Sequence, residues 1–344
     1  MSEKTIPPSG FDNLRLQAIS APLVTHLFTA DPSAHLFQDK IYIYPSHDID
    51  AGEAFDDLGS HFAMEDYHVF SMQSPSGVVK DHGIALQIKD VPWAEKQMWA
   101  PDAAYKNGKY YLFFPAKNKN GIFQIGVAVS ENPTGPFVPQ PEPIKDSFSI
   151  DPAVFVDEDG SAYMYFGGIW GGQLQRWRKG VFTHEFPESP FAFLPEPNEP
   201  ALCAKVAKLS DDLLDFAEKP KDVLILDEKG SPLLQGDGER RFFEASWMHK
   251  YNEKYYFSYS TGDTHSICYA IGEHPYGPFT YAGRILEPVI GWTSHHSISQ
   301  FDGKWYLFYH DSSLSKGITH LRCMKVTELH YDDSGYIKTI HPYY

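Results

Sequence analysis

The stretch Ser149-Ile150-Asp151-Pro152-Ala153-Val154-Phe155-Val156-Asp157-Glu158-Asp159-Gly160-Ser161-Ala162-Tyr163-Met164-Tyr165-Phe166-Gly167-Gly168 decides the fold. It opens on an acid, runs through a short extended segment to a tight Asp-Gly turn, and returns as a strand of alternating aromatics. Together these features signal a β-hairpin. The unit recurs at Asp31-Pro32-Ser33 through Asp39-Lys40-Ile41-Tyr42-Ile43-Tyr44 and at Asp102-Ala103-Ala104 through Gly108-Lys109-Tyr110-Tyr111-Leu112-Phe113. It returns at Glu244-Ala245-Ser246 through Glu253-Lys254-Tyr255-Tyr256-Phe257, and last at His295-His296-Ser297 through Gly303-Lys304-Trp305-Tyr306-Leu307-Phe308.

In each of the five copies an ionisable residue stands six to nine positions ahead of the turn residue. A second repeat supports the first: Ile125-Gly126-Val127-Ala128 leads to Pro133-Thr134-Gly135-Pro136-Phe137, as Ile267-Cys268-Tyr269-Ala270 leads to Pro275-Tyr276-Gly277-Pro278-Phe279. Units of several short strands at a period of about 50 residues predict an all-β, five-bladed β-propeller. The first strand of each blade then lines the central channel. Asp31, Asp102, Asp151, Glu244 and His295 are expected to meet at one end of it.

Composition sets the outer bounds. The 344 residues suit one propeller domain spanning residues 1–344. A net charge of −16 disfavours nucleic acid and anionic membranes as partners. No apolar run is long enough to span a bilayer, and Met1-Ser2-Glu3-Lys4-Thr5-Ile6-Pro7-Pro8 lacks the apolar core of a signal peptide, so a cytoplasmic location is expected. Cys203, Cys268 and Cys323 lack metal-ligand spacing and read as free thiols.

Residues 1–24 read as a lead-in segment, and Asp50 to Ser60 as a solvated connection. The interval between turns is 93 residues from Gly160 to Glu253, against 52 before it and 50 after it. A long insertion at about 178–240, between blades 3 and 4, is therefore expected. It either covers the mouth of the site or decorates the surface.

Converging carboxylates suit glycoside hydrolysis, in which one acid protonates the leaving oxygen and a second carboxylate works from the opposite face of the sugar. A third carboxylate nearby raises the pKa of the acid. The competing reading is that the aspartates cap turns, which is weaker for Glu244, placed between Phe243 and Ala245.

The set Thr29-Ala30-Asp31-Pro32-Ser33, Trp99-Ala100-Pro101-Asp102, Ile150-Asp151-Pro152-Ala153 through Gly160, Phe242-Phe243-Glu244-Ala245 and His295-His296-Ser297 resembles glycoside hydrolase family 43, over about residues 25–330. The resemblance implies a five-bladed propeller and an inverting mechanism. In it Asp31 is similar to the general base, Glu244 to the general acid, and Asp151 to the residue that tunes and orients the acid. Ala245-Ser246 stands where many members carry Gly-Pro. The resemblance also assigns Asp102 to substrate positioning and Arg322 to substrate hydroxyls, with a surface ion pair as Arg322's rival reading. It implies that His295 holds a hydrated metal, commonly Ca2+, on the propeller axis. Only one of His295 and His296 can face the channel from an extended strand, and the His-x-Ser pattern favours His295.

Trp99, Phe243 and Trp292 are candidates to wall a sugar ring, with core packing as the alternative, and His249 reads as structural. The expected activity is exo-hydrolysis of terminal β-D-xylosyl or α-L-arabinofuranosyl units from a small oligosaccharide. An endo-arabinanase, a sugar-binding propeller without catalysis and a propeller phosphorylase are the alternatives. No Arg/Lys cluster near the carboxylates suggests the phosphate pocket that the last would need.

Overall fold

In the computed structural model, which describes residues 16–184, 189, 191–262 and 264–344, five sheets follow one another along the chain. Blade 1 pairs Phe28–Phe37, Lys40–Asp48, Asp66–Met72 and Lys80–Gln87 in chain order. Blade 2 runs from Asp102–Lys106 through Lys109–Asn118 and Phe123–Ser130, and blade 3 from Ala153–Val156 through Ala162–Phe166. Blade 4 begins with Phe242–Tyr251, and blade 5 consists of His296–Phe301, Lys304–Asp311 and Cys323–Leu329. The first strand of each blade contacts the first strand of the next, and that of blade 5 contacts that of blade 1. The ring closes as a five-bladed propeller.

The turns follow the sequence. Left-handed backbone at Gln38 and Asp39, Asn107 and Gly108, Asn252 and Glu253, and Asp302 and Gly303 matches the right-handed twist of the flanking strands. The alternating aromatics then bury between blades. Tyr42, Tyr44 and Tyr67 of blade 1 pack with Leu112 and Phe114 of blade 2. Ile41, Ile43 and Phe70, from the alternate face, pack with Phe308 and Met324 of blade 5.

Blades 1 and 3 share a finer device. The residue two places after the leading aspartate pairs with a tyrosine, Ser33 with Tyr44 and Ala153 with Tyr165. Each tyrosine is fully buried and donates its hydroxyl to a carbonyl in the Pro-x-Gly-Pro-Phe turn of the next blade: Tyr44 to Pro133 and Tyr165 to Pro275, both at 2.7 Å. The repeated turn is thus the receptor for a latch from the preceding blade.

The ring is sealed by backbone bonds from Leu23 to Met324 and from Thr29 to Arg322, both 2.9 Å. Ile19 and Tyr344 bond to Pro342 and Gln17, so residues 17–19 run beside residues 342–344. Most of the expected lead-in, residues 1–15, lies outside the described residues. The long segment between blades 3 and 4 is only partly an insertion, because Lys205–Lys208 and Lys221–Asp222 are the third and fourth strands of blade 3. Ile225–Leu226 adds a parallel edge to blade 4.

Removing the Tyr165 hydroxyl leaves a buried carbonyl without its partner, which costs about 1–3 kcal/mol. Tyr165→Phe is therefore expected to lower the free energy of unfolding by that amount, measured by urea denaturation. A change within error would show that the latch carries no load.

Candidate active site

The site gathers where the inner strands depart from regular geometry. Asp31 sits in a register shift between Ala30 and Ser33 with φ +48°, and Asp151 precedes its strand with φ +57°. Glu244 lies between two register shifts, followed by Ala245 at φ +61°. Such irregularities re-aim a side chain out of the pleat. Here they turn three carboxylates into one pocket, together with His295 and Arg322. Ala245 occupies a left-handed position that glycine adopts freely, and its N–H donates to Asp151 Oδ2 at 2.8 Å. The residue after Glu244 thereby links the two acids.

Asp31 is the most heavily bonded of the three. It accepts from Arg322 Nη1 at 2.9 Å and from Ser46 Oγ at 2.6 Å. Its own N–H donates to His310 Nδ1 at 3.0 Å, while His310 Nε2 lies 3.1 Å from the Thr293 carbonyl. His310 is therefore the Nε2–H tautomer, and burial with the nearby Arg322 charge lowers its pKa to about 3. Burial raises the Asp31 pKa, but Arg322, then the two histidines and Ser46, outweigh it and hold the carboxyl at about 2. Because His310 is neutral above pH 3, the Arg322 cation dominates this effect near neutrality.

Asp151 and Glu244 go the other way. Burial raises Asp151 to about 6, partly opposed by His295 and reinforced by Asp31. Glu244 stands well above the ordinary carboxylate range, through burial and then the charges of Asp151 and Asp31. The pocket thus sets a carboxyl that ionises readily beside one whose surroundings favour the protonated acid. Environments that drive two carboxyls apart in this way supply an acid and a base to one reaction.

The remaining candidates sort by geometry. His295 lines the pocket, its Nδ1 lying 3.6 Å from Asp31 Oδ1 and 3.9 Å from Asp151 Oδ2, and His296 is buried against Ser258 instead. Trp292 stacks on Trp170 at 5.3 Å, and Phe243, only 1% exposed, braces both rings edge-on. Trp99 also lines the pocket, its indole N–H held by the Phe62 carbonyl at 2.8 Å. His249 is buried on Tyr331, outside the pocket, as a structural residue would be.

Several expectations are corrected. Asp102 does not line the pocket; it is 1% exposed and is bonded by Ser33, by His35 at 2.7 Å and by the Val154 N–H. It starts a regular strand, paired with Phe113, and stands six residues ahead of its turn where the other four stand eight or nine. That offset moves it about 7–10 Å along the strand, below the site.

Arg322 forms no surface pair. It is 3% exposed and binds Asp48 through Nε and Nη2, both at 2.8 Å, as well as Asp31, so each of its three guanidinium nitrogens already meets a carboxylate. The loop read as solvated supplies Phe55, Asp56, Asp57 and Gly59 to the pocket. Among the described residues, the segment 178–240 supplies none to the pocket; it packs Phe191 behind Trp170 at 5.0 Å.

Asp48, Ser46, His310 and Trp170 were not singled out from the sequence. Ser46-His47-Asp48 and Tyr309-His310-Asp311 both end the second strand of their blades, and that likeness was the available signal.

A five-bladed propeller whose axial pocket shifts the pKa values of two carboxyls in opposite directions has the architecture of a glycoside hydrolase. Comparison with known proteins gives the family: residues 24–188 match the model of glycosyl hydrolases family 43. A xylosidase/arabinosidase of Humicola insolens is 60% identical over 94% of this chain and 99% of its own length. A β-xylosidase/α-arabinofuranosidase from a compost microbial metagenome, solved with xylotriose in a calcium-free form, is 64% identical with a TM-score of 0.92, covering 95% of this chain and 99% of the other. A family enzyme of Xanthomonas citri, solved with xylotriose, is 55% identical with a TM-score of 0.91, covering 97% of each chain. The chain belongs to glycoside hydrolase family 43.

Two outcomes follow from the charges. Glu244 has a raised pKa in the folded state, so the folded protein holds a proton that the unfolded chain releases, and this costs stability at neutral pH. Glu244→Gln should be more stable than wild type near pH 7. The gain should shrink as pH falls through the ordinary glutamate pKa of about 4.3 and vanish below it, where the glutamate is protonated whether folded or unfolded; thermal melts across that range check it, and a pH-independent difference would refute it. Arg322→Met strands two buried carboxylates and is expected to cost about 3–5 kcal/mol, read from denaturant midpoints. It should also move the acidic limb of the kcat/KM profile upward as Asp31 loses its partner.

Proposed function

We propose that this chain is an inverting exo-glycosidase that releases terminal β-D-xylosyl and α-L-arabinofuranosyl residues from hemicellulose-derived oligosaccharides. The observation that carries this reading is the split between Asp31, held at about 2, and Glu244, held well above the carboxylate range, in one pocket. The names of the relatives, xylosidase/arabinosidase and β-xylosidase, support the sugar class. Release from chain ends is supported by the Trp170–Trp292 stack and by the loop that brings Phe55 and Asp56 to the pocket, which line it beside the carboxyls.

Each role follows from an environment. Asp31, ionised, takes a proton from the attacking water as the C–O bond forms at the anomeric carbon. Glu244, protonated, gives its proton to the departing oxygen as the glycosidic bond breaks. Asp151 orients the acid through the Ala245 N–H, and its charge helps to keep Glu244 protonated. Arg322, fixed by Asp48, keeps Asp31 ionised.

An axial ion fits one observation: His295 makes no hydrogen bond among the described residues, and its Nδ1 faces two carboxylates. His295 would hold a hydrated calcium ion, whose positive charge favours the ionised form of Asp31.

Initial rates on aryl β-D-xyloside, aryl α-L-arabinofuranoside and linear arabinan, for wild type beside Glu244→Ala, test the proposal. Activity on an aryl glycoside that falls by at least about 10²-fold in the variant is expected. Inertness on all three substrates would leave a sugar-binding propeller, and preference for arabinan an endo-acting enzyme. Chelation and calcium re-addition, on wild type and His295→Ala, check the ion. Restoration in wild type alone supports it, and rates indifferent to chelation remove it.

A further inference from the structure

Blade 1 carries a second group of metal-ligating side chains, none of which lines the catalytic pocket. We propose that His47, Asp66 and His68 form a binding site for a divalent transition ion of the zinc class. Strand register brings them together. Lys40–Asp48 and Asp66–Met72 pair from Ile41 with Met72 to Ile43 with Phe70, and extending that register puts His47 opposite Asp66. His68 is two residues beyond Asp66 and shares its face of the strand. Asp66 Oδ1 lies 2.7 Å from His47 Nδ1 and 4.0 Å from His68 Nε2. One ligand atom from each of the three lies within 4.8 Å of the others. The two imidazoles cross at 65° with centroids 5.0 Å apart. The side chains of His47, Asp66 and His68 are 16%, 19% and 13% exposed, so the group is sheltered yet open to an ion from solvent.

The outer shell is also built. His68 Nδ1 lies 3.1 Å from Asp81 Oδ1, which accepts from the Gly83 N–H at 2.7 Å, while Asp81 Oδ2 pairs with His26 Nε2 at 2.9 Å. With Nδ1–H donated to Asp81, the lone pair of His68 Nε2 is directed toward Asp66. A carboxylate behind an imidazole in this way fixes the tautomer and raises the basicity of a metal ligand.

Two imidazoles and one carboxylate suit zinc, cobalt, nickel or copper, whereas calcium and magnesium favour shells dominated by oxygen, such as the water shell of a hydrated ion. Three protein ligands leave a position for water. Binding would displace to solvent the proton that His47 shares with Asp66. The backbone ladder between the two strands ends at Ile43 and Phe70, so an ion would clamp the ends beyond it. Ser46 and Asp48, on either side of His47, bond Asp31 and Arg322. The clamp therefore lies directly behind the residues that hold Asp31.

The test is a calorimetric titration of metal-stripped, full-length protein with zinc chloride, in excess calcium to satisfy any axial site. One zinc per chain and a higher Tm are expected. Affinity should fall at least tenfold in His68→Gln and in Asp66→Asn, and about 10–100-fold in Asp81→Asn, which keeps all three ligands. His295→Ala should bind zinc as wild type does. Absence of zinc binding, unchanged affinity in His68→Gln and Asp66→Asn, or loss of binding in His295→Ala would each overturn the proposal. If a ligand variant fails to fold, cobalt absorption of the wild-type protein decides. An intense visible band that zinc abolishes supports the site, and a spectrum like that of hydrated cobalt overturns it.

Discussion

Arg322 is the charge around which the site is organised. It is buried between Asp31 and Asp48, with bonds of 2.8–2.9 Å to both, and its side chain packs over the Phe62 ring at 4.9 Å. Removing three ions from water carries a desolvation cost that only close pairing offsets. The arrangement also breaks the symmetry of the pocket. One cation meets two carboxylates on the blade 1 side, and none of comparable closeness among the described residues meets Asp151 or Glu244. The ring supplies the carboxyls, and Arg322 decides which of them is ionised.

The position of Arg322 depends on closure of the propeller. It begins the return from a loop into the last strand of blade 5, and its carbonyl accepts the Thr29 N–H at 2.9 Å. Blade 1 supplies Asp31 two residues further on and Asp48 at the end of its second strand. The network therefore forms only when the first and last blades meet. Ring closure and the ionisation of Asp31 are one event, which places the reacting carboxylate at the seam of the fold.

Much of this was legible in the sequence. Alternating aromatics and turn residues recur with enough regularity to give the blade count, because both follow local rules of strand burial and turn geometry. The carboxylates were legible as a set for the same reason. Asp102 was misplaced because a hairpin motif defines a strand without its level along the channel, although its shorter distance to the turn held that information. The loop at Asp50 to Ser60 was misread because its acidic, small-residue composition suits solvent, while its place over the site depends on contacts with blade 3. Leu58 packs so closely on Gly171 that a Cβ there would come within 2.6 Å of its carbonyl. Arg322 could be located on its strand, but its partners lie 274 and 291 residues away in the chain. No local pattern encodes such a pairing.

Asp31 and Asp151 occupy corresponding places in corresponding blades. Each precedes a proline, each is left-handed, and each stands two residues before the partner of a latching tyrosine. With the repeated receptor turns of blades 2 and 4, this makes the ring two copies of a two-blade module closed by an odd fifth blade. The two aspartates are then internal counterparts that share a backbone conformation and differ in ionisation. Blade 5 brings Arg322 to one of them and not to the other. The two carboxyls share one backbone setting, and the unpaired blade supplies the asymmetry that separates their ionisation.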